Sequence, residues 1–344
     1  MYQIVELFVG IMIGCVIGGW IMFNSLTVPE VSPTWSEPRN FVPSDIEEML
    51  AARSASSGFL HKTGVVPPRY FMQKTFRERQ GKFRVWMDNY ASNPGFSHPP
   101  TPFPHCQVYI NHHYKFIWIK GHKVASTSMR GSLGWLCKDG WKVPEDANWD
   151  YCSEPLFKNR NVKEEDVRRW WKDYFVFGVV RNPFTRFSSA HEYIQTLMPK
   201  KCTKPSFGET CKDPYLHARI CKRENCCRES TTVHHVRHLS DQSTCMFDEN
   251  YRPAVDFIAQ VENLDQDLDT ILDTINSRKD PSLPKLKRAP DYSHVNARNK
   301  TKEEGGSKKH YAVDLFLDND ECVLSLVKQY QKDFLLLGYL ENLF

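Results

Sequence analysis

Three stretches of the chain are mostly apolar and too short for free-standing helices: Tyr114-Lys115-Phe116-Ile117-Trp118-Ile119-Lys120, Tyr174-Phe175-Val176-Phe177-Gly178-Val179-Val180, and the run from Ala254 to Val261. Continuous apolar runs of this length read as strands buried on both faces. Each is followed by a polar turn and a helical pattern. Gly131 to Cys137 follows the first, Thr185 to Leu197 the second, and the acidic segment Leu264 to Ile275 the third. Pro183 sets the start of the second helix firmly, because proline fits the first helical position. A last helix is predicted over about Asp318 to Phe334, where Val323, Leu324, Leu326, Val327, Tyr330 and Phe334 recur at helical spacing. Strands alternating with helices predict an α/β fold around a parallel sheet, with ligands at the carboxyl ends of the strands.

The first apolar segment is of another kind. From Ile4 to Phe23 the run IVELFVGIMIGCVIGGWIMF carries Glu6 as its only charge, and as a helix it is about 30 Å long, one hydrocarbon thickness. It reads as an uncleaved anchor, since no basic n-region precedes it and no small-x-small cleavage site follows. The expected plan is a short cytoplasmic tail (1–3), a transmembrane signal anchor (4–23), a Pro/Ser-rich stem (24–105) and a lumenal domain (106–344) holding a Cys-rich insert (202–245). Lysine and arginine are absent from both flanks until Arg39, so charge does not orient the span. The cysteines and the lone sequon Asn299-Lys300-Thr301 do, placing most of the chain in the lumen with Asn299 as a glycosylation site. Gly10, Gly14 and Gly18 form a small-residue face that lets another span approach closely, and a homodimer is one arrangement it allows.

Composition narrows the class. With 344 residues, 41% of them hydrophobic, the chain has material for one large domain or two ordinary ones, and disorder over most of its length is excluded. The 45 lysines and arginines against 41 acidic residues leave a net charge of +4, too small a surplus for a general nucleic-acid binder. Any basic site must be local. Eleven cysteines, one of them in the span, leave an even ten for pairing, which favours an oxidising compartment.

Two strand ends carry candidate chemistry. Gly121-His122-Lys123-Val124-Ala125-Ser126-Thr127-Ser128 lies between a strand and a helix, where free N–H groups and the helix dipole favour an anion. Lys123 adds charge, and Ser126, Thr127 and Ser128 add hydroxyl donors. A polar helix cap with a surface lysine is the plainer alternative. The loop is not a Walker A sequence, because it lacks the second glycine and the late lysine, and with them an evident magnesium ligand. At the other strand end, Ser189 follows Arg181 by eight residues, two turns into the helix, so both reach one further phosphate. Two anion cradles on two βα units predict a ligand with phosphates at both ends.

These residues resemble the membrane-anchored carbohydrate sulfotransferases, which take a sulfuryl group from 3′-phosphoadenosine 5′-phosphosulfate (PAPS). Lys123-Val124-Ala125-Ser126-Thr127-Ser128 is similar to the family's 5′-phosphosulfate loop, and Arg181-Asn182-Pro183-Phe184-Thr185-Arg186-Phe187-Ser188-Ser189-Ala190 to its 3′-phosphate motif. His238-Leu239-Ser240-Asp241-Gln242 with Cys245, Phe257 to Leu264, and Lys332 to Tyr339 resemble segments of the chondroitin, dermatan and HNK-1 branch. The likeness covers about Lys115 to Tyr339. His122 stands where the family usually has proline, and the stretch from Cys202 to Cys227 is unmatched. The resemblance implies a P-loop-like three-layer α/β fold with a central parallel sheet and PAPS as co-substrate. It also implies a glycan or proteoglycan acceptor, no metal, no nucleic acid, and a single-pass type II enzyme of the Golgi membrane.

The residue types suit sulfuryl transfer. Negative charge gathers on the oxygen bridging to the leaving 5′-phosphate, so a lysine there is the minimal electrostatic catalyst, and by resemblance it is Lys123. A general base must take the proton of the acceptor hydroxyl. His238 is the first choice, ahead of His191 and Glu262. Cys202, Cys211, Cys221, Cys226, Cys227 and Cys245, with His217, His234, His235 and His238 nearby, read as disulfides rather than a zinc site, because C-x4-C-C is no standard zinc knuckle. The basic stretch Lys285 to Lys309 could close over the nucleotide, hold an anionic polysaccharide or be a solvated loop. Two rival readings stand beside this one. A phosphoryl-transfer enzyme of similar fold would need a magnesium site, and a lumenal glycan-binding protein would keep a dead nucleotide site.

Overall fold

The computed structural model describes residues 58–59, 107–133, 153–155, 163–248, 251–288, 316 and 319–339. The N-terminal span, nearly all of the stem, Asn299 and most of the basic stretch lie outside these residues. Among the described residues no helix is long and apolar enough to cross a membrane.

Six strands make one sheet in the order β1-β6-β5-β3-β2-β4: β1 (Gly58–Phe59), β2 (Gln107–Asn111), β3 (Phe116–Lys120), β4 (Glu154–Pro155), β5 (Phe175–Val180) and β6 (Phe257–Gln260). The three strands expected from the apolar runs are β3, β5 and β6. They are parallel, with Ile117 beside Val176 and Gly178 beside Ile258. The flanks depart from the expected parallel sheet: β2 pairs antiparallel with β3 and with β4, and β1 antiparallel with β6. The β2–β3 turn is an Asx turn, in which Asn111 Oδ1 accepts the N–H groups of His113 and Tyr114 and Lys115 takes a left-handed φ of 52°.

Helices follow as α1 (Ser126–Ser132), α2 (Glu164–Asp173), α3 (Pro183–Leu197), α4 (Phe207–Lys212), α5 (Leu216–Arg223), α6 (Glu229–Leu239), α7 (Ser243–Met246), α8 (Leu264–Arg278), α9 (Asp320–Gln329) and α10 (Gln331–Leu336). Every residue of β3 and β5 is buried, because strand alternation feeds two cores. Ile117, Ile119, Val176 and Val180 join one core, with Ile194 of α3, Val236 of α6 and Leu326 of α9. Phe116, Trp118, Phe175, Phe177 and Val179 join the other, with Met129 of α1 and Leu268, Ile271 and Ile275 of α8. Helices on both faces of a sheet make the expected three layers.

Two helix expectations shift. The helix after β3 starts at Ser126, five residues ahead of Gly131, so the serines and threonine of the loop form its first turn. The single C-terminal helix is two, broken at Tyr330, which is fully buried and donates its hydroxyl to the Leu239 carbonyl at 2.6 Å. α3 begins where proline placed it, capped by Asn182 Oδ1, which accepts the N–H groups of Phe184 and Thr185.

The Cys-rich insert is helical and cross-linked. Cys202 pairs with Cys226, Cys221 with Cys227, and Cys211 reaches Cys322 on α9. Cys245 is disulfide-bonded too. The sulfurs of Cys202, Cys221, Cys226 and Cys227 lie within 4.8 Å of one another. Engaged in disulfides, they are not the thiolates that a metal would require.

Candidate active site

The carboxyl ends of β3, β5 and β6 open into one cavity of about 860 Å³, lined by Lys123, Ala125, Ser126, Thr127, Ser128, Arg181, Ser189 and His238, all expected from the sequence. Val124 is the exception. Its side chain is 1% exposed and packs into the second core, so only its backbone faces the loop.

The loop leaving β3 is held tightly. A Cβ at Gly121 would come within 3.1 Å of Val124 Cγ2, and Lys123 and Ala125 both adopt left-handed backbone, at φ 63° and 56°. For residues with a side chain this costs about 1 kcal/mol or more apiece, and strain of this kind collects at functional loops. α1 has only seven residues and its N-cap is an alanine, so the anion-binding capacity rests on the Lys123 ammonium and the three hydroxyls more than on a helix dipole.

Arg181 directly follows β5 and turns toward that loop. Its Nε donates to Thr185 Oγ1 at 3.0 Å and its Nη1 to the Lys123 carbonyl at 3.4 Å. Burial lowers the guanidinium from its ordinary value while Glu262 opposes the shift. The second arginine of the motif faces the opposite way. Arg186 is 2% exposed and donates to the carbonyls of His238 and Ser240 at 3.2 and 2.7 Å, so it fixes the end of α6.

That anchoring sets His238. Its Nδ1 lies 2.8 Å from the His234 carbonyl, and since a carbonyl only accepts, Nδ1 carries the proton and Nε2 keeps the lone pair. Burial, aided by the charges of His234 and Lys123, pulls its pKa down to about 3. The ring is a neutral acceptor at neutral pH. His191 is not in the cavity: it packs edge-to-face on Phe207 and His217, with ring centres 5.3 and 5.2 Å away. Glu262 does line it, with its carboxylate accepting the Asn182 N–H at 2.8 Å and the Tyr339 hydroxyl at 3.0 Å.

Sequence reasoning missed several neighbours. The Lys123 ammonium sits 4.5 Å from the centre of the Tyr193 ring, and that ring lies 4.9 Å from His238. His122 and His234 pack on His238 at 4.4 and 4.3 Å. Tyr193 follows Ser189 by four residues and His234 precedes His238 by four, so helical spacing alone puts each pair on one face.

A family model described as the sulfotransferase family matches residues 107–340. The chain belongs to the sulfotransferase family. Neither a curated protein nor a solved structure matches it. The matched region of this sulfotransferase runs from β2 to just past Tyr339 and takes in every residue that lines the cavity.

Proposed function

We propose that this sulfotransferase takes its sulfuryl group from PAPS and moves it to a hydroxyl of a glycan or proteoglycan chain, as a single-pass type II protein of the Golgi membrane. One observation carries the reading. Lys123 and Arg181 line the same cavity, with Arg181 Nη1 3.4 Å from the Lys123 carbonyl, so one nucleotide phosphorylated at both ends can engage both. The acceptor oxygen attacks sulfur as the bond from sulfur to the 5′-phosphate oxygen breaks in line. Lys123 neutralises charge on that bridging oxygen, and Ser126, Thr127 and Ser128 donate to the phosphate. Arg181 and Ser189 hold the 3′-phosphate. His238 accepts the hydroxyl proton at Nε2, and the negative charge of a bound donor raises its basicity.

The test is incubation of the protein with radiolabelled PAPS and a panel of desulfated glycans, in parallel with Lys123→Ala. Label is expected in at least one glycan with the parent alone. Equal incorporation by the variant removes Lys123 from the mechanism, and stronger thermal stabilisation by ATP with magnesium than by PAPS favours phosphoryl transfer instead.

A further inference from the structure

The two residues that open the 3′-phosphate motif are each gripped by a side chain from elsewhere in the fold. Gln242 pairs with Arg181 in both directions: its Oε1 accepts the Arg181 N–H at 2.9 Å and its Nε2 donates to the Arg181 carbonyl at 2.8 Å. A side-chain amide thus supplies the two bonds that a neighbouring strand would supply just where β5 ends. At the next residue, Glu262 accepts the Asn182 N–H at 2.8 Å.

Neither grip is free-standing. The Asp333 carboxylate accepts the Gln242 N–H at 2.8 and 2.9 Å, the Ser243 N–H at 2.7 Å and the Gln242 Nε2 at 3.2 Å. The Tyr339 hydroxyl donates to Glu262 at 3.0 Å. Asp333 and Tyr339 belong to one C-terminal segment, α10 and the turn after it. Gly338 makes that turn at φ 72°, and Gln260 Nε2 fastens it to the end of β6 through the Leu337 carbonyl at 3.1 Å. Gln242, Asp333 and Tyr339 are all buried.

We propose that this C-terminal segment is a positioning element for the donor site: through Gln242 and Glu262 it fixes the backbone from which Arg181 reaches the 3′-phosphate, and so sets the preference for a 3′-phosphorylated nucleotide without touching it. The proposal rests on the reading of Arg181 as the 3′-phosphate ligand given above. A guanidinium launched from a wandering backbone loses the two-point geometry that makes arginine selective for phosphate. The 5′ loop springs from β3 and meets these grips only through the long 3.4 Å contact of Arg181 Nη1 with the Lys123 carbonyl.

The experiment titrates the full chain, Gln242→Met and Tyr339→Phe with 3′-phosphoadenosine 5′-phosphate and with 5′-AMP by calorimetry. The parent is expected to prefer the 3′-phosphorylated nucleotide; without that preference the reading of Arg181 itself fails. Given it, Gln242→Met, which removes both side-chain bonds to Arg181 and the third to Asp333, is expected to weaken the 3′-phosphorylated nucleotide about tenfold and 5′-AMP less than about twofold. Tyr339→Phe, which removes one hydroxyl, is expected to lower the preference about threefold. A purely structural role weakens both nucleotides alike, so an unchanged ratio in both variants overturns the proposal. If the thermal midpoint shows Gln242→Met to be poorly folded, Tyr339→Phe decides.

Discussion

The ammonium of Lys123 rests 4.5 Å from the centre of the Tyr193 ring, on the side of the cavity where His238 also meets that ring. A cation over an aromatic face is worth about 0.5–2 kcal/mol, enough to decide where a flexible lysine points. Tyr193→Phe keeps the face and is expected to hold kcat within about twofold, whereas Tyr193→Leu loses it and is expected to lower kcat about three- to tenfold. Steady-state kinetics with PAPS check this, and equal rates for the two variants would show the contact to be incidental.

Lys123 itself is expected to matter far more to the reaction than to nucleotide affinity. Removing a charge aimed at the bridging oxygen costs roughly 3 kcal/mol of transition-state stabilisation, on the order of a hundredfold or more in kcat. The product nucleotide of the proposed reaction, 3′-phosphoadenosine 5′-phosphate, has no sulfuryl group, so its affinity for Lys123→Ala should fall much less than the rate. A fall in affinity as steep as the fall in kcat would make Lys123 a binding residue only.

Three buried histidines behind the cavity predict acid sensitivity. His191, His217 and His235 are at most 8% exposed, and each has a ring nitrogen with no hydrogen-bond partner among the described residues. Burial pulls them down to about 4, 3 and 4. Unfolded histidine titrates near 6.5, so between these values the unfolded chain holds more protons than the native one and stability falls as pH falls. Urea unfolding is expected to give a free energy lower by roughly 3 kcal/mol or more at pH 5 than at pH 7. A flat profile would contradict burial of the neutral rings.

The Cys211–Cys322 bridge closes a loop over a separation of 111 residues and ties α4 to α9. A bridge of that span is worth about 5 kcal/mol in the chain-entropy account. Cys211→Ala with Cys322→Ala is expected to lower the thermal midpoint by about 10 °C or more while leaving nucleotide preference unchanged, because Gln242 and Asp333 are not part of the bridge. Differential scanning calorimetry with and without 3′-phosphoadenosine 5′-phosphate separates the two effects.

The sequence was most legible where one physical demand dominated. β3, β5 and β6 must be apolar on both faces, and their runs showed it; Pro183 marked the start of a helix. β2 was not read as a strand because its five residues QVYIN gain their place from pairing with β3, which no local pattern reveals. The site divides the same way. Lys123, Arg181 and Ser189 announce themselves by charge and spacing at strand ends, whereas the grip of Gln242 on Arg181 spans 61 residues and the hold of Asp333 on Gln242 spans 91. Arg186 shows the limit of motif reading: an arginine inside a phosphate motif, it faces inward because two carbonyls and Asp333 take up its guanidinium.

The spacing of the bridges also orders biosynthesis. Cys221 meets Cys227 across six residues and Cys202 meets Cys226 across 24, so both can close while the ribosome is still working through the middle of the message. Cys211 must wait, unpaired among four eager neighbours, until more than a hundred further residues have emerged. During that interval the insert is one wrong exchange from a trapped isomer, and the yield of folded enzyme should depend on an isomerase able to undo it.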